Sequence, residues 1–204
     1  MTVIVDYGVG NLFSLRSSFA AIGTEVSFSS DPELVEKADK IILPGVGAFC
    51  DASKKLKESG MQEAVLNAAA KGTPLLGVCL GMQLLFDKSF ENGEYEGLGL
   101  IKGEVISLKD IIPSDLKIPQ IGWNALKFEK SCPLFGRIKE GDYVYFVHSY
   151  AAVNTGNALA ATTEYGATIT AAVSKDNIFG CQFHPEKSGE VGLNILKAFC
   201  EDIL

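Results

Sequence analysis

Clusters of basic residues are missing from this sequence. Its 204 residues carry 18 Lys and Arg against 25 Asp and Glu, a formal charge of −7. No stretch gathers several cations, so nucleic acid and other polyanions are disfavoured as partners. Paired cysteines are missing too. The five present (Cys50, Cys79, Cys132, Cys181 and Cys200) are odd in number, scattered and without a C-x-x-C pair. That pattern argues against a disulfide framework and a thiolate zinc site, and for a reducing, cytoplasmic compartment. No apolar run spans a bilayer: the longest, around residues 75–86, is short and interrupted. Met1-Thr2-Val3-Ile4-Val5-Asp6 has no basic lead-in and no small-residue cleavage site, so a soluble, unprocessed chain is expected. Histidine is scarce, with only His148 and His184, and any acid–base histidine must be one of these.

Hydrophobic residues make up 47% of the chain, ample for a core, and no linker, repeat or low-complexity segment divides it. One domain over residues 1–204 is expected. Thr2–Val5 reads as a strand, with Asp6-Tyr7-Gly8-Val9-Gly10-Asn11 turning into an amphipathic Leu12–Ile22. Gly8 and Gly10 lack the third glycine and the later acid of a dinucleotide fingerprint, so this turn is not expected to bind a dinucleotide. A strand over Glu25–Phe28, a short helix opened by Asp31-Pro32, a strand over Lys40–Leu43 and helices over Ala52–Glu58 and Met61–Lys71 follow. The alternation implies an open, mostly parallel, doubly wound sheet with helices on both faces. After about Asn92 the segments Gly103–Leu108, Gln120–Phe128, Tyr143–His148, Ala158–Thr163, Thr168–Val173 and Ile178–Phe183 are β-rich and joined by turns, which predicts additional antiparallel strands. Gly192–Leu204 reads as a closing amphipathic helix.

The stretch with chemical content is Gly77-Val78-Cys79-Leu80-Gly81. An apolar strand runs into it from Pro74, and helical spacing leaves it through Phe86. A side chain on such a turn sits at the carboxyl end of its strand, where ligands bind in open α/β sheets. The flanking glycines follow the logic of a nucleophile elbow with sulfur in place of oxygen. A buried cysteine in a Gly-rich turn stays open as a reading of this stretch alone. A nucleophile needs a base and something to orient it. Phe183-His184-Pro185-Glu186 offers both, because in extended backbone residues two apart share a side. Cys79, His184 and Glu186 then form a candidate triad. His148 has no acid two residues away and reads as structural or substrate-side.

The elbow together with Phe183-His184-Pro185-Glu186-Lys187-Ser188 resembles the class I (triad) glutamine amidotransferases. Asp6–Asn11, Pro44-Gly45-Val46-Gly47-Ala48-Phe49, Pro119-Gln120-Ile121-Gly122-Trp123-Asn124 and Tyr145–Tyr150 narrow the likeness to glutaminase subunits of imidazole glycerol phosphate synthases. The resemblance covers essentially the whole chain. It implies a flavodoxin-like amidotransferase fold and hydrolysis of L-glutamine to glutamate and ammonia through a Cys79 thioester, with no organic cofactor and no metal. His184 would be the base and Glu186 its orienter. The N–H groups of Val46 and Leu80 would hold the oxyanion, and Gly45, Gly47, Gln83, Ser149 and Tyr150 the substrate. It implies a heterodimer with a (β/α)8 cyclase that makes imidazole glycerol phosphate and aminoimidazole carboxamide ribotide, faced by Asn11, Trp123, Tyr145 and Lys187. A turn of the Gly45–Val46 peptide would make activity depend on that partner. Another triad amidotransferase, a catalytically silent scaffold and a thiol peptidase or esterase are the competing readings.

Overall fold

The computed structural model describes residues 1–203. In chain order the first half runs β1 (Thr2–Val5), α1 (Leu12–Ala21), β2 (Val26–Ser29), α2 (Pro32–Glu36), β3 (Lys40–Leu43), α3 (Phe49–Glu58), α4 (Met61–Ala70), β4 (Leu75–Val78) and α5 (Leu80–Gln83). The second half is mostly strand: β5 (Lys88–Ser89), β6 (Tyr95–Glu96), β7 (Glu104–Ser107), β8 (Gln120–Ala125), β9 (Lys127–Phe128), β10 (Tyr143–His148), β11 (Tyr150–Val153), β12 (Leu159–Glu164), β13 (Thr168–Lys175) and β14 (Ile178–Cys181), closed by α6 (Gly189–Glu201).

The main sheet has the order β2-β1-β3-β4-β14-β13-β12-β9. Its central strands β1, β3, β4 and β14 are short, buried on both faces and alternate between two cores. Val3, Val5, Ile41, Leu43 and Leu75 point to the side covered by α2, α3 and α4. Ile4, Ile42, Leu76 and Val78 point to the side covered by α1 and α6 through Leu15, Phe19, Ile195, Leu196 and Phe199. A period of two along each strand thus feeds both layers, and each fully buried Val, Leu, Ile or Phe contributes roughly 1.5–3 kcal/mol. Short helices are capped locally: Asp31 Oδ1 accepts the Glu33 N–H at 2.9 Å, ahead of Pro32 in the first turn of α2.

The structure departs from the sequence expectation at six places. Strand β14 is parallel to β4 and antiparallel only to β13, so it belongs to the parallel core. The segment 120–128 is two strands. Leu126 is buried and exchanges backbone hydrogen bonds with Asp142 and Gly141, and the break sends β9 to the main sheet and β8 to a separate ribbon with β10. Helix α3 begins at Phe49, three residues early, because Glu91 Oε2 accepts the Phe49 N–H at 2.7 Å as a cap from a distant loop. Helix α5 stops at Gln83, because the carbonyls of Leu84, Leu85 and Phe86 accept N–H groups from residues 98–101. Strand β11 was not expected and pairs with β7 in a second small sheet. Helix α6 starts at Gly189, and the expected final residue Leu204 lies outside the described residues.

Among the described residues no helix is long and apolar enough to cross a membrane. None of the five cysteines is paired.

Candidate active site

Cys79 occupies a turn that only close packing sustains. It has φ 55° and ψ −112°, a left-handed conformation that costs a non-glycine residue on the order of 1–3 kcal/mol. Its neighbours allow the chain to double back. A Cβ on Gly81 would lie 1.9 Å from the Leu43 carbonyl oxygen. One on Gly45 would lie 2.6 Å from the Gly81 nitrogen. The end of β3, the elbow and α5 therefore meet backbone to backbone. The elbow is tied to β14 as well, with the Cys79 N–H donating to the Cys181 carbonyl at 2.8 Å. No backbone carbonyl among the described residues accepts the Leu80 N–H, which opens α5.

His184 follows β14 directly, so the parallel pairing of β14 with β4 sets it beside Cys79. Its Nδ1 is 2.8 Å from Glu186 Oε1, with both side chains buried. The backbone behind this pair is not the extended one expected from the sequence. His184 is extended, but Pro185–Lys187 form a 3-10 turn that swings Glu186 back under the ring. Burial opposes the imidazolium, but hydrogen bonds to Cys79 and Glu186, and the negative charge of both, outweigh it and raise the pKa from 6.5 to about 9. Glu186 Oε2 is buried with no hydrogen-bond partner, so the carboxylate spends its hydrogen bonding on His184 alone.

Cys79 and His184 open into a cleft of about 330 Å³. Of the candidates read from the sequence, Val46, Gly47, Leu80, Gln83, Ser149, Tyr150 and Lys187 line it. Gly45 does not; it is buried behind that wall, where its part is steric. The wall carrying Val46 is anchored by Tyr7, whose buried hydroxyl donates to the Pro44 carbonyl at 2.7 Å. Burial and the nearby Cys79 raise the Tyr7 pKa, keeping that hydroxyl a donor.

Sequence reasoning missed three lining residues, Glu91, Pro119 and Val147, and read His148, a fourth, as structural or substrate-side. Glu91 is the one carboxylate among the residues lining the cleft. It also missed Gln182, fully buried, whose Nε2 is 3.8 Å from Cys79 Sγ. A signal for Gln182 existed: positions 182 and 184 share a face under strand alternation. For Glu91 there was none.

His148 is buried with Nδ1 2.8 Å from the Tyr150 carbonyl and Nε2 3.0 Å from Gln120 Oε1. Two oxygen neighbours favour a second ring proton. Burial opposes it and wins, with a small contribution from His184, and the pKa falls to about 4. The neutral ring gives its one N–H to the Tyr150 carbonyl. Its Nε2 then accepts from the Gln120 amide after half-turns of the Gln120 and Asn124 carboxamides, which leave the heavy atoms in place and move the unpaired oxygen to the exposed Asn124 end, where water can reach it.

The β8–β10 ribbon carries an exposed apolar face. Ile121, Trp123 and Tyr143 are 61%, 51% and 58% exposed. Tyr145 pairs with Trp123 across the ribbon, their rings edge to face at 5.9 Å, and Lys187 Nζ lies 5.9 Å from the Tyr145 ring centre. Asn11 is apart from this cluster in its role: its Oδ1 caps α1 through the Ser14 N–H at 3.3 Å.

Residues 3–203 match the family model for class-I glutamine amidotransferases. The imidazole glycerol phosphate synthase subunit HisH of Caldanaerobacter subterraneus subsp. tengcongensis is 50% identical over 204 residues, covering 100% of this chain and 98% of that one. That of Lactococcus lactis subsp. lactis is 50% identical over 202 residues, covering 98% of each. The chain belongs to the class-I glutamine amidotransferases, among the HisH subunits. Such enzymes hydrolyse glutamine. The fold agrees at much lower identity: PurLQS of Thermotoga maritima superposes with a TM-score of 0.75 at 20% identity, covering 100% of this chain and 98% of that one.

Proposed function

We propose that Cys79, His184 and Glu186 hydrolyse L-glutamine to glutamate and ammonia, and that the chain, as the glutaminase subunit of an imidazole glycerol phosphate synthase, passes the ammonia to a (β/α)8 cyclase in histidine biosynthesis. The observation that carries this reading is the buried His184–Glu186 pair at 2.8 Å beside a strained cysteine on the floor of a cleft. His184 takes the Cys79 proton as sulfur attacks, and the imidazolium keeps that proton for the leaving nitrogen. Sγ bonds to the carboxamide carbon, the C–N bond breaks, and the nitrogen leaves as ammonia with the proton from His184. A thioester remains. Water attacks it, His184 takes the water's proton and returns it to sulfur, and glutamate leaves. Glu186 holds the ring's tautomer throughout.

The oxyanion forms next to the unpartnered Leu80 N–H, with the Val46 N–H as second donor. Losing one such donor costs about 3 kcal/mol, or roughly two orders of magnitude in rate. Rotation of the Gly45–Val46 peptide is therefore a sufficient switch, one that the cyclase would throw. Glutamine's ammonium group pairs with Glu91, and Gly47, Gln83, Ser149 and Tyr150 surround its backbone. The exposed face of Trp123, Tyr145 and Lys187 meets the cyclase. Unpaired cysteines fit a cytoplasmic setting. Glutamate release is measured with the cyclase and its nucleotide ligand, for the wild type and for Cys79→Ala. The variant is expected to release none above background, and turnover by it at the wild-type rate would refute the triad.

A further inference from the structure

Four buried side chains and the Tyr150 carbonyl form one chain of hydrogen bonds that ends on Cys79. Gln182 Nε2 reaches Cys79 Sγ at 3.8 Å, and Gln182 Oε1 accepts from Gln83 Nε2 at 2.9 Å. Gln83 Nε2 also donates to the Tyr150 carbonyl at 3.1 Å, and that same carbonyl takes His148 Nδ1 at 2.8 Å. His148 Nε2 is 3.0 Å from the Gln120 carboxamide, which continues to the Asn124 carboxamide at 3.0 Å. Gln120 and Gln182 are 0% exposed, Gln83 5% and His148 6%.

Buried carboxamides without a polar task are costly, because each unpaired donor or acceptor forfeits its hydration. Four polar side chains in series are therefore held to one arrangement. Gln120 is the far end of the buried series, on β8, and it does not line the cleft, meeting it only through His148. Strand alternation turns Ile121 and Trp123 outward from the same strand.

We propose that Gln120 is a positioning residue for glutamine binding, acting through His148 on the Tyr150 carbonyl and through that carbonyl on the Gln83 amide. This rests on the glutaminase reading, in which Gln83 and Tyr150 hold the substrate. Without Gln120 the ring of His148 loses its second tether, the Tyr150 carbonyl drifts, and Gln83 no longer presents its amide in one place. The chemistry at Cys79 is untouched, so the effect falls on KM.

The test uses the chain in complex with its cyclase. Gln120→Met keeps the side-chain length and removes both polar atoms. Its KM for glutamine is expected to rise about tenfold, the size of one lost buried hydrogen bond, with kcat within about threefold. Gln120→Glu places an oxygen beside His148 Nε2 and draws a second proton onto the ring, which keeps both tethers. Its KM is expected within about threefold of wild type. Melting curves identify any variant that does not fold, and in that case His148→Gln, which cannot bridge both tethers, takes its place with the same expected KM rise. A wild-type KM in Gln120→Met, or equal losses in Gln120→Met and Gln120→Glu, overturns the proposal. Failure of the wild-type complex to convert glutamine would instead refute the glutaminase reading.

Discussion

His148 gives the fold a pH dependence of calculable size. The ring is buried, and desolvation pushes its pKa from 6.5 to about 4 against the pull of the Tyr150 carbonyl, with His184 adding repulsion. The unfolded chain takes up this proton near pH 6.5 and the native chain only near 4, so between those values the unfolded state binds more protons. Stability is then present in full above pH 6.5 and is lost as pH falls toward 4. At about 1.4 kcal/mol per unit, this residue removes about 2 kcal/mol between pH 6.5 and 5, and about 3 by pH 4. Urea unfolding at steps between pH 5 and 7 measures it in the wild type and in His148→Gln, which has no titrating ring. Carboxylates that begin to protonate in this range contribute equally to both proteins and cancel in the difference. The stability curve of the wild type is expected to be steeper by about 1.4 kcal/mol per pH unit. Parallel curves would refute the reasoning, because they would mean that burial does not hold the ring neutral.

Other outcomes follow from the site's geometry. Gly81→Ala puts a methyl group against the Leu43 carbonyl, so the elbow and β3 must separate; a destabilisation of about 1–3 kcal/mol in urea unfolding is expected, with loss of glutaminase activity. Glu186→Gln keeps the shape of the buried pair and removes the charge that orients His184. Its kcat is expected to fall by about 10³–10⁴ while the melting curve stays cooperative, and a fall of less than tenfold would remove Glu186 from the triad. Trp123→Ala deletes the largest exposed side chain of the β8–β10 ribbon and is expected to weaken cyclase binding by about 2 kcal/mol in titration calorimetry, without changing the fold.

What could be read in advance was what is local. The elbow is five residues with its own steric signature, and with only two histidines in the chain the base is a choice between two. Strands β1, β3 and β10 match their expected bounds because alternation or a continuous apolar run is written into them. The bounds of α3 and α5 are different in kind. One is extended by a carboxylate from residue 91 and the other cut short by N–H groups from residues 98–101, partners that no window on the helix contains. The direction of β14 is likewise settled by β4, about a hundred residues away, since a buried apolar run reads the same in a parallel or an antiparallel pair.

The buried carboxamides make the same point more sharply. As residue types Gln83, Gln120 and Gln182 carry no signal, because glutamine is ordinarily a surface residue. Only when folding removes all three from water must each find a partner. The partner each finds is another part of the site: Gln182 at Cys79, Gln83 at Tyr150, and Gln120 at His148. A histidine without an acid two residues away then acquires a task after all. His148 ties the carbonyl that Gln83 also grips to a strand of the exposed ribbon. In that strand Gln120 and Trp123 are three residues apart and lie on opposite faces, so whatever covers Trp123 presses on the strand that holds one wall of the cleft.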